Sequence, residues 1–435
     1  MHFAAIGAGI LAAALLTPTP SIAASAMDVG VDLGPPPAAG QPRAAEEVAV
    51  DLAVDYRNPR TVIRHPGAPQ VKVHFNSLRL APGDYITVSS EDGREVHTYH
   101  SDPTRTTAPA ADSSYTRHRS VGFAAMSISD DVAVIALHRT GGRTVPASAL
   151  DRAGYGARVD RVWRNFSRAE YRTRNAGRLV GCRPKDGREP VACYADDPDF
   201  TVEVAKSAAV AALYNPAAHI IPYCTTARVG KKNRMLTAVH CGATDTTPHL
   251  KTSEVWFDFE CRDCGDADPK VPFKVSVGQI LKVGEAGTGS SDWAVFSLKE
   301  QDFPKVTKYG NLMLDDRMQL PAGERIYSPT HGQNDEVPDD QETNYKRLGI
   351  FQDPRGSGGD KPCVLTSART PGPAWAAWSC DGSGLGSGGP IISRDSQKIV
   401  AILNRGECTG APEPSFGIKA GYILQQTGDL IQGTA

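Results

Sequence analysis

The sequence predicts an all-β chain: two packed β-barrels closed off by a C-terminal helix, with a small antiparallel β-sandwich ahead of them. Three observations carry that expectation. Beyond about residue 181, short segments rich in Val, Ile, Phe and Trp are separated by Gly and Pro turns, as in small barrels. A 3.6-residue apolar period emerges only at Tyr422-Ile-Leu-Gln-Gln-Thr-Gly-Asp-Leu-Ile431, where a helix fits. Ahead of residue 140 the period is again close to two, but in a region without a single cysteine.

In chain order, Phe3 to Leu16 is an apolar run followed by Thr17-Pro-Thr-Pro20 and the small residues Ala24-Ser25-Ala26. It is too short to span a membrane and reads as a secretory signal over 1–26, although no Lys or Arg precedes it. Residues 27–47, rich in Ala, Pro and Gly, read as a disordered lead-in. The sandwich is expected over 48–140. Its strands are Val71–Phe75, Tyr85–Ser89, Val121–Ala125 and Val132–Leu137, with turns at Pro82-Gly83-Asp84 and Glu91-Asp92-Gly93. His97 and His100 lie in a polar segment and read as surface histidines. Residues 141–180 carry Arg168, Arg172, Arg174 and Arg178 with few apolar runs, which predicts an exposed, cleavable connector. The barrels occupy 181–435.

The chain has 435 residues, 40% of them hydrophobic, enough for two or three domains with real cores. Its 47 Lys and Arg against 49 Asp and Glu leave a net charge of −2, which argues against nucleic acid or an anionic membrane as partner. All nine cysteines lie beyond residue 181, which implies an oxidising compartment, extracellular or periplasmic, with disulfides confined to the barrels.

Three strings met in order carry the chemistry: Leu-Thr-Ala-Val-His240-Cys, Ser-Asp292-Trp-Ala-Val and Gly-Ser387-Gly-Gly-Pro. A Ser hydroxyl is a weak nucleophile near neutral pH, so acyl transfer needs an imidazole to take its proton and a carboxylate to hold the imidazole. His240, Asp292 and Ser387 suit those roles. Met235 to Val239 is a strand end that can deliver His240, and Cys241 can be tied to Cys224 across a short loop, a link worth about 3 kcal/mol. Asp292 opens the strand-like Trp-Ala-Val-Phe-Ser-Leu. Glycines around Ser387 allow two backbone N–H groups to converge on an oxyanion.

Alone, each string has a plainer reading: a packed histidine, a turn aspartate, a loop serine. It is their joint order and local context that favours catalysis. Gly356-Ser357-Gly358-Gly359 repeats the nucleophile string, but Asp360-Lys361-Pro362 after it cannot begin a central strand. Pro390-Ile391-Ile392 and Ile399 to Leu403 follow Ser387 instead.

On these motifs the chain resembles the chymotrypsin-fold serine peptidases, and among them the secreted bacterial lysyl-endopeptidase group. The likeness spans about residues 180–425, including Val-Trp-Phe-Asp-Phe-Glu-Cys261, Ser-Pro-Thr-His-Gly332 and Asn-Arg-Gly-Glu-Cys408. It implies a chymotrypsin-like double β-barrel with the triad in the cleft between the barrels. The oxyanion donors would be the backbones of Leu385 and Ser387. The family's usual glycine is replaced at Leu385, and Gly386 stands where the trypsin branch has an Asp, which rules out activation by that ion pair.

The resemblance also implies Cys182 with Cys408, Cys193 with Cys261 or Cys264, and Cys363 with Cys380. A rival set pairs Cys380 with Cys408. The odd thiol is expected at the Cys261–Cys264 doublet, and zinc-ligand spacing is lacking there. Asp381 and Glu413 are candidates for the specificity pocket, where a carboxylate would favour Lys or Arg; loop carboxylates are an equal reading. The sandwich resembles the group's propeptide, with Leu78-Arg-Leu-Ala-Pro-Gly-Asp84 as its nearest match.

The expectation is a secreted, monomeric serine endopeptidase acting through an acyl-enzyme. It would be made as a precursor, bind its own propeptide and a protein substrate, and use no cofactor or metal. The alternative is an inactive binding protein of the same fold, recognising peptide or carbohydrate.

Overall fold

The computed structural model describes residues 45–105, 107, 109, 111–140, 145–174, 188–216, 223–243, 248–265, 269–284, 291–332, 345–352, 361–368, 370–380, 382, 386–405 and 414–432. The signal segment and residues 27–44 of the lead-in lie outside them; residues 45–47, expected to end that disordered lead-in, instead open the strand Ala45–Val54, where Ala45 is buried and all three pair with the strand Gly156–Asn165.

The N-terminal unit is a pair of antiparallel sheets around one core. One sheet runs Ala45–Val54, Gly156–Asn165, Val71–Arg79, Phe123–Ala125 and Tyr115–Thr116; the other runs Arg60–Arg64, Val132–His138, Tyr85–Ser89 and Val96–Tyr99. Val71, Val73 and Phe75 of one face Ile86, Val88 and Ile135 of the other across this core, an inward set with the period of two that the sequence displays.

The unit does not stop at residue 140. Gly156–Asn165, read as connector from its arginines, is a ten-residue strand between Ala45–Val54 and Val71–Arg79. Its Ala157, Val159 and Val162 enter the core, while Arg161 meets Glu47 and Arg164 meets Glu46 and Glu170. The arginines pair with acids across the sheet, which is why a charge-rich strand resembled a linker. Arg168–Arg174 is helical, and residues 175–187, with Arg178, lie outside the described residues. His97 also departs from expectation: it is buried, 3.0 Å from Glu95, where the barrel covers this edge. His100 is partly exposed, its Nδ1 2.6 Å from Asp112.

The remainder is the two-lobed all-β body expected. A closed barrel is formed in ring order by Val210–Tyr214, Tyr223–Arg228, Met235–Thr237, Ala294–Leu298, Phe273–Val283 and Glu254–Phe257. Leu213, Met235, Val255, Phe257, Val275 and Phe296 fill it. The second lobe is an eight-stranded sheet. Ile326–Thr330, Pro390–Ser393, Ile399–Arg405, Ser415–Lys419, Trp375–Trp378 and Leu365–Thr366 are consecutive within it, and an Arg325–Val364 bridge returns the last to the first. Ile326 N–H to Cys363 C=O (3.0 Å) and Leu365 N–H to Glu324 C=O (2.9 Å) make that closure. Between the lobes one apolar cluster joins Leu236, Trp293 and Val295 to Ile392, Ile402 and Ile418. The C-terminal helix is Ala420–Thr427, shorter than the apolar pattern, with Ile423 in that cluster and a 3-10 turn over Gly428–Leu430.

Disulfides join Cys224–Cys241, Cys193–Cys264 and Cys363–Cys380. The last removes the rival pairing of Cys380 with Cys408. Cys261 keeps its thiol, buried beside Trp256, Phe259 and Tyr345. Cys182 and Cys408 lie outside the described residues. Among the described residues no helix is long and apolar enough to cross a membrane.

Candidate active site

His240 leaves the strand Met235–Thr237 on a single 3-10 turn, Val239–Cys241, pinned by the Cys224 disulfide. Asp292 lies two residues before Ala294–Leu298, the strand paired with Met235–Thr237, so adjacent strands deliver both side chains to one barrel edge. His240 Nδ1 lies 2.8 and 3.0 Å from the two oxygens of Asp292, and the His240 backbone N–H donates to the same carboxylate at 3.1 Å. A carboxylate accepts at Nδ1, so that nitrogen carries the hydrogen and Nε2 is left as the base.

Burial alone would raise the Asp292 carboxyl. The hydrogen bonds from the His240 ring and backbone and from Asn404 outweigh it and hold the group below the usual carboxylate range, ionised at neutral pH. Asn404 was not among the residues singled out in the sequence. Its Nδ2 donates to the Asp292 carbonyl at 2.5 Å while its Oδ1 accepts from Ile418 N–H at 2.8 Å. An amide breaking the apolar run Ile399 to Leu403 was the available signal, and it ties Asp292 of the first lobe to the second.

Ser387 is buried in the turn before Pro390–Ser393. Its carbonyl accepts from Thr225 N–H at 2.8 Å and lies 3.7 Å from Cys241 Sγ, so the serine backbone rests against the disulfide next to His240. Gly389 N–H closes the turn on Gly386 C=O at 2.9 Å. Gly388 has φ +82°, and a Cβ there would lie 2.3 Å from both Thr225 O and Thr237 Oγ1; only glycine fits. Behind the turn, a Cβ on Gly389 would meet Thr330 Cγ2 at 2.3 Å. Thr330 Oγ1 in turn accepts from the buried Arg188, whose carbonyl takes Arg347 Nη1 at 2.8 Å. Arg188 gave no sequence signal distinguishing it from its many neighbouring arginines.

The structure thus brings His240 and Asp292 together and lays the Ser387 turn against their strand. Leu385, Asp381, Glu413 and Ser357 lie outside the described residues. Among the described residues Lys361–Pro362 pairs with Phe351–Gln352 as a separate two-stranded ribbon and does not enter the eight-stranded sheet.

No protein-family model and no curated protein sequence matches the chain. Among solved structures, a Glu endopeptidase in complex with MPD is 16% identical with a TM-score of 0.38, over 57% of this chain and 96% of its own. The scabies mite inactivated protease paralogue S-D1 is 10% identical with a TM-score of 0.37, over 59% of this chain and 100% of its own. At such scores neither lends this chain an activity.

Proposed function

We propose that the chain is a secreted serine endopeptidase. Ser387 attacks the scissile carbonyl, His240 takes its proton and returns it to the leaving amine, and Asp292 holds the imidazole and stabilises its cation. The observation that carries this reading is the double contact of His240 Nδ1 with an ionised, half-buried Asp292, beside a buried serine whose glycine turn rests on the disulfide next to His240. Carbonyl oxygen in the tetrahedral intermediate would be met by backbone N–H groups of that turn, Ser387 and Leu385.

Specificity for Lys or Arg rests on Asp381 or Glu413 entering the pocket, a reading of sequence alone. A fluorophosphonate probe tests the nucleophile: wild type is labelled and Ser387→Ala is not. Labelling that survives Ser387→Ala would remove the proposal. A peptide-library profile tests the pocket, with preference for aromatic or acidic side chains excluding the basic assignment.

A further inference from the structure

The outer face of the first barrel is not a solvent face. On Glu254–Phe257 and Phe273–Val283, Val255, Phe257, Val275 and Val277 point into the barrel, so Glu254, Lys274 and Ser276 point out, yet all three are buried. The N-terminal sheet buries them. Lys72 makes an ion pair with Glu254 in which neither side chain retains any exposure, and Ser127 N–H and Oγ donate to the same carboxylate at 3.0 and 2.8 Å. In the opposite sense Lys274 reaches Glu95 at 2.5 Å and the Ser127 carbonyl at 2.6 Å. Ser114 donates to Asp302 at 2.6 Å and accepts from Ser276 N–H at 3.0 Å, and Tyr214 donates to Asn165 at 2.8 Å.

This seam has the chemistry of a specific, long-lived interface. Two buried ion pairs of opposite polarity fix the register, because any slip would set cation against cation. Ala124, Met126, Trp163 and His118 of the N-terminal sheet's outer face are likewise buried and would be laid bare by departure. Two cavities of about 350 and 380 Å³ open along the seam, one lined by Gln70, Phe259 and Tyr345, the other by His97, Ser114 and Lys305. The contacts described fall on the barrel wall. Meanwhile the His240 side chain keeps 37% of its surface open with the N-terminal unit in place.

We propose that residues 45–174 are a permanent subunit of the enzyme, not a shed or inhibitory propeptide: severing the chain within 175–187 leaves them bound to the barrel wall with the cleft open. The polarity-alternating ion pairs hold the complex, and the active-site histidine is accessible before and after cleavage.

The test needs no catalysis. In full-length Ser387→Ala, a site for an added sequence-specific protease is placed within 175–187, the chain is cut, and size exclusion with native mass spectrometry is run at about 1 µM. Both fragments should travel as one complex and part only in denaturant. In the same background Lys72→Met, which strands a buried carboxylate, should weaken the complex about 100-fold or more so that the fragments separate, and Lys72→Met with Glu254→Gln, which removes the charge and keeps an acceptor for Ser127, should recover about 10-fold of that loss. Diethyl pyrocarbonate should modify His240 at the same rate, within about twofold, in uncut chain and in the 188–435 fragment parted, without unfolding, from the cut Lys72→Met protein. Separation of the unsubstituted fragments at 1 µM, or protection of His240 lifted only when 45–174 is removed, would overturn the proposal.

Discussion

Asn404 bears on this site through another residue, Asp292, which it ties to the strand Ser415–Lys419. Its amide is the only described hydrogen-bond link between Asp292's backbone and the second lobe, and a lost buried hydrogen bond costs about 1–3 kcal/mol. Asn404→Ala should therefore lower kcat about 10-fold to 100-fold with KM little changed, measured on any cleaved peptide. An unchanged kcat would show that Asp292 is held well enough by its own strand. For the residues proposed to act directly, Ser387→Ala or His240→Ala should lower hydrolysis by about 10⁴-fold to 10⁶-fold, and the double variant should lose little more. Ser357→Ala should be active. A dead Ser357 variant beside a working Ser387 variant would mean the wrong serine was chosen. His240, Asp292 and Ser387 could be proposed from the sequence because each sits in a distinctive local string; Arg188 and Asn404 could not, because a positioning role is defined only by what the fold brings alongside.

At the scale of the element, the turn Gly386 to Gly389 is the piece that a single methyl destroys. Gly388→Ala would force an L-residue to φ +82° and drive its Cβ onto Thr225 and Thr237, so the turn must move away from the strand that carries His240. The expected outcome is at least about a 100-fold loss of activity with the barrels still folded, read by kcat and by circular dichroism. Full activity in Gly388→Ala would show that the turn is not what orients Ser387. Removing the Cys224–Cys241 link by a double Ser substitution should cost about 3 kcal/mol in chemical denaturation. The strands at Val71, Tyr85 and Val132 were announced by apolar runs or period-two patterns, while Ala45–Val54, which also alternates at Val48, Val50, Leu52 and Val54, was passed over. The failure at Gly156–Asn165 is instructive, since Arg158, Arg161 and Arg164 masked an inward set of Ala157, Val159 and Val162, and the acids that balance them lie far away in sequence at Glu46 and Glu47.

Across the whole molecule, acidity should work against the seam between the N-terminal sheet and the barrel. His118 is held well below the ordinary imidazole value by burial, reinforced by Lys72, His74, Arg119 and His249 around it; Thr116 and the Trp163 ring are its close contacts. His74 is lowered by burial too, against the pull of Asp160. An unfolded chain binds both protons near pH 6.5 and the folded chain does not, so stability is complete above that pH and declines below it, by up to about 1.4 kcal/mol per pH unit for each histidine. Glu95, which burial would raise, is pulled down to about 2 by Lys274 and His97 and does not titrate in this window. Thermal unfolding should shift to lower temperature between pH 7 and pH 5, and less steeply in His118→Gln. A Tm that rises on acidification would contradict the account. Processing of the proposed precursor is tested separately by N-terminal sequencing of the expressed protein: a cut within 168–181 in wild type and an intact Ser387→Ala chain would mean self-processing, and identical cutting in both would assign it to another protease. The sandwich and the two lobes were visible in the sequence as separate patterns. Their contact was not, because Lys72, Glu254 and Lys274 each look like an ordinary outward charge on an amphipathic strand.

The seam also has a direction in time. For a secreted chain that emerges from export N-terminus first, every strand of the N-terminal sheets is available once Gly156–Asn165 has emerged, whereas the barrel ring cannot close until Ala294–Leu298 follows. Through that interval the finished sheet presents Lys72, Glu95 and Ser127 to strands Glu254–Phe257 and Phe273–Val283 as they appear, ahead of the partner that will seal them. Non-local strand pairing is slow because loop closure must come first. A chain begun after residue 187 should therefore refold from denaturant more slowly and with more aggregation than one carrying 45–174, and adding the separate N-terminal unit should restore its rate. The oppositely charged pairs that hold the finished molecule would then have served first as the jig on which its barrel was assembled.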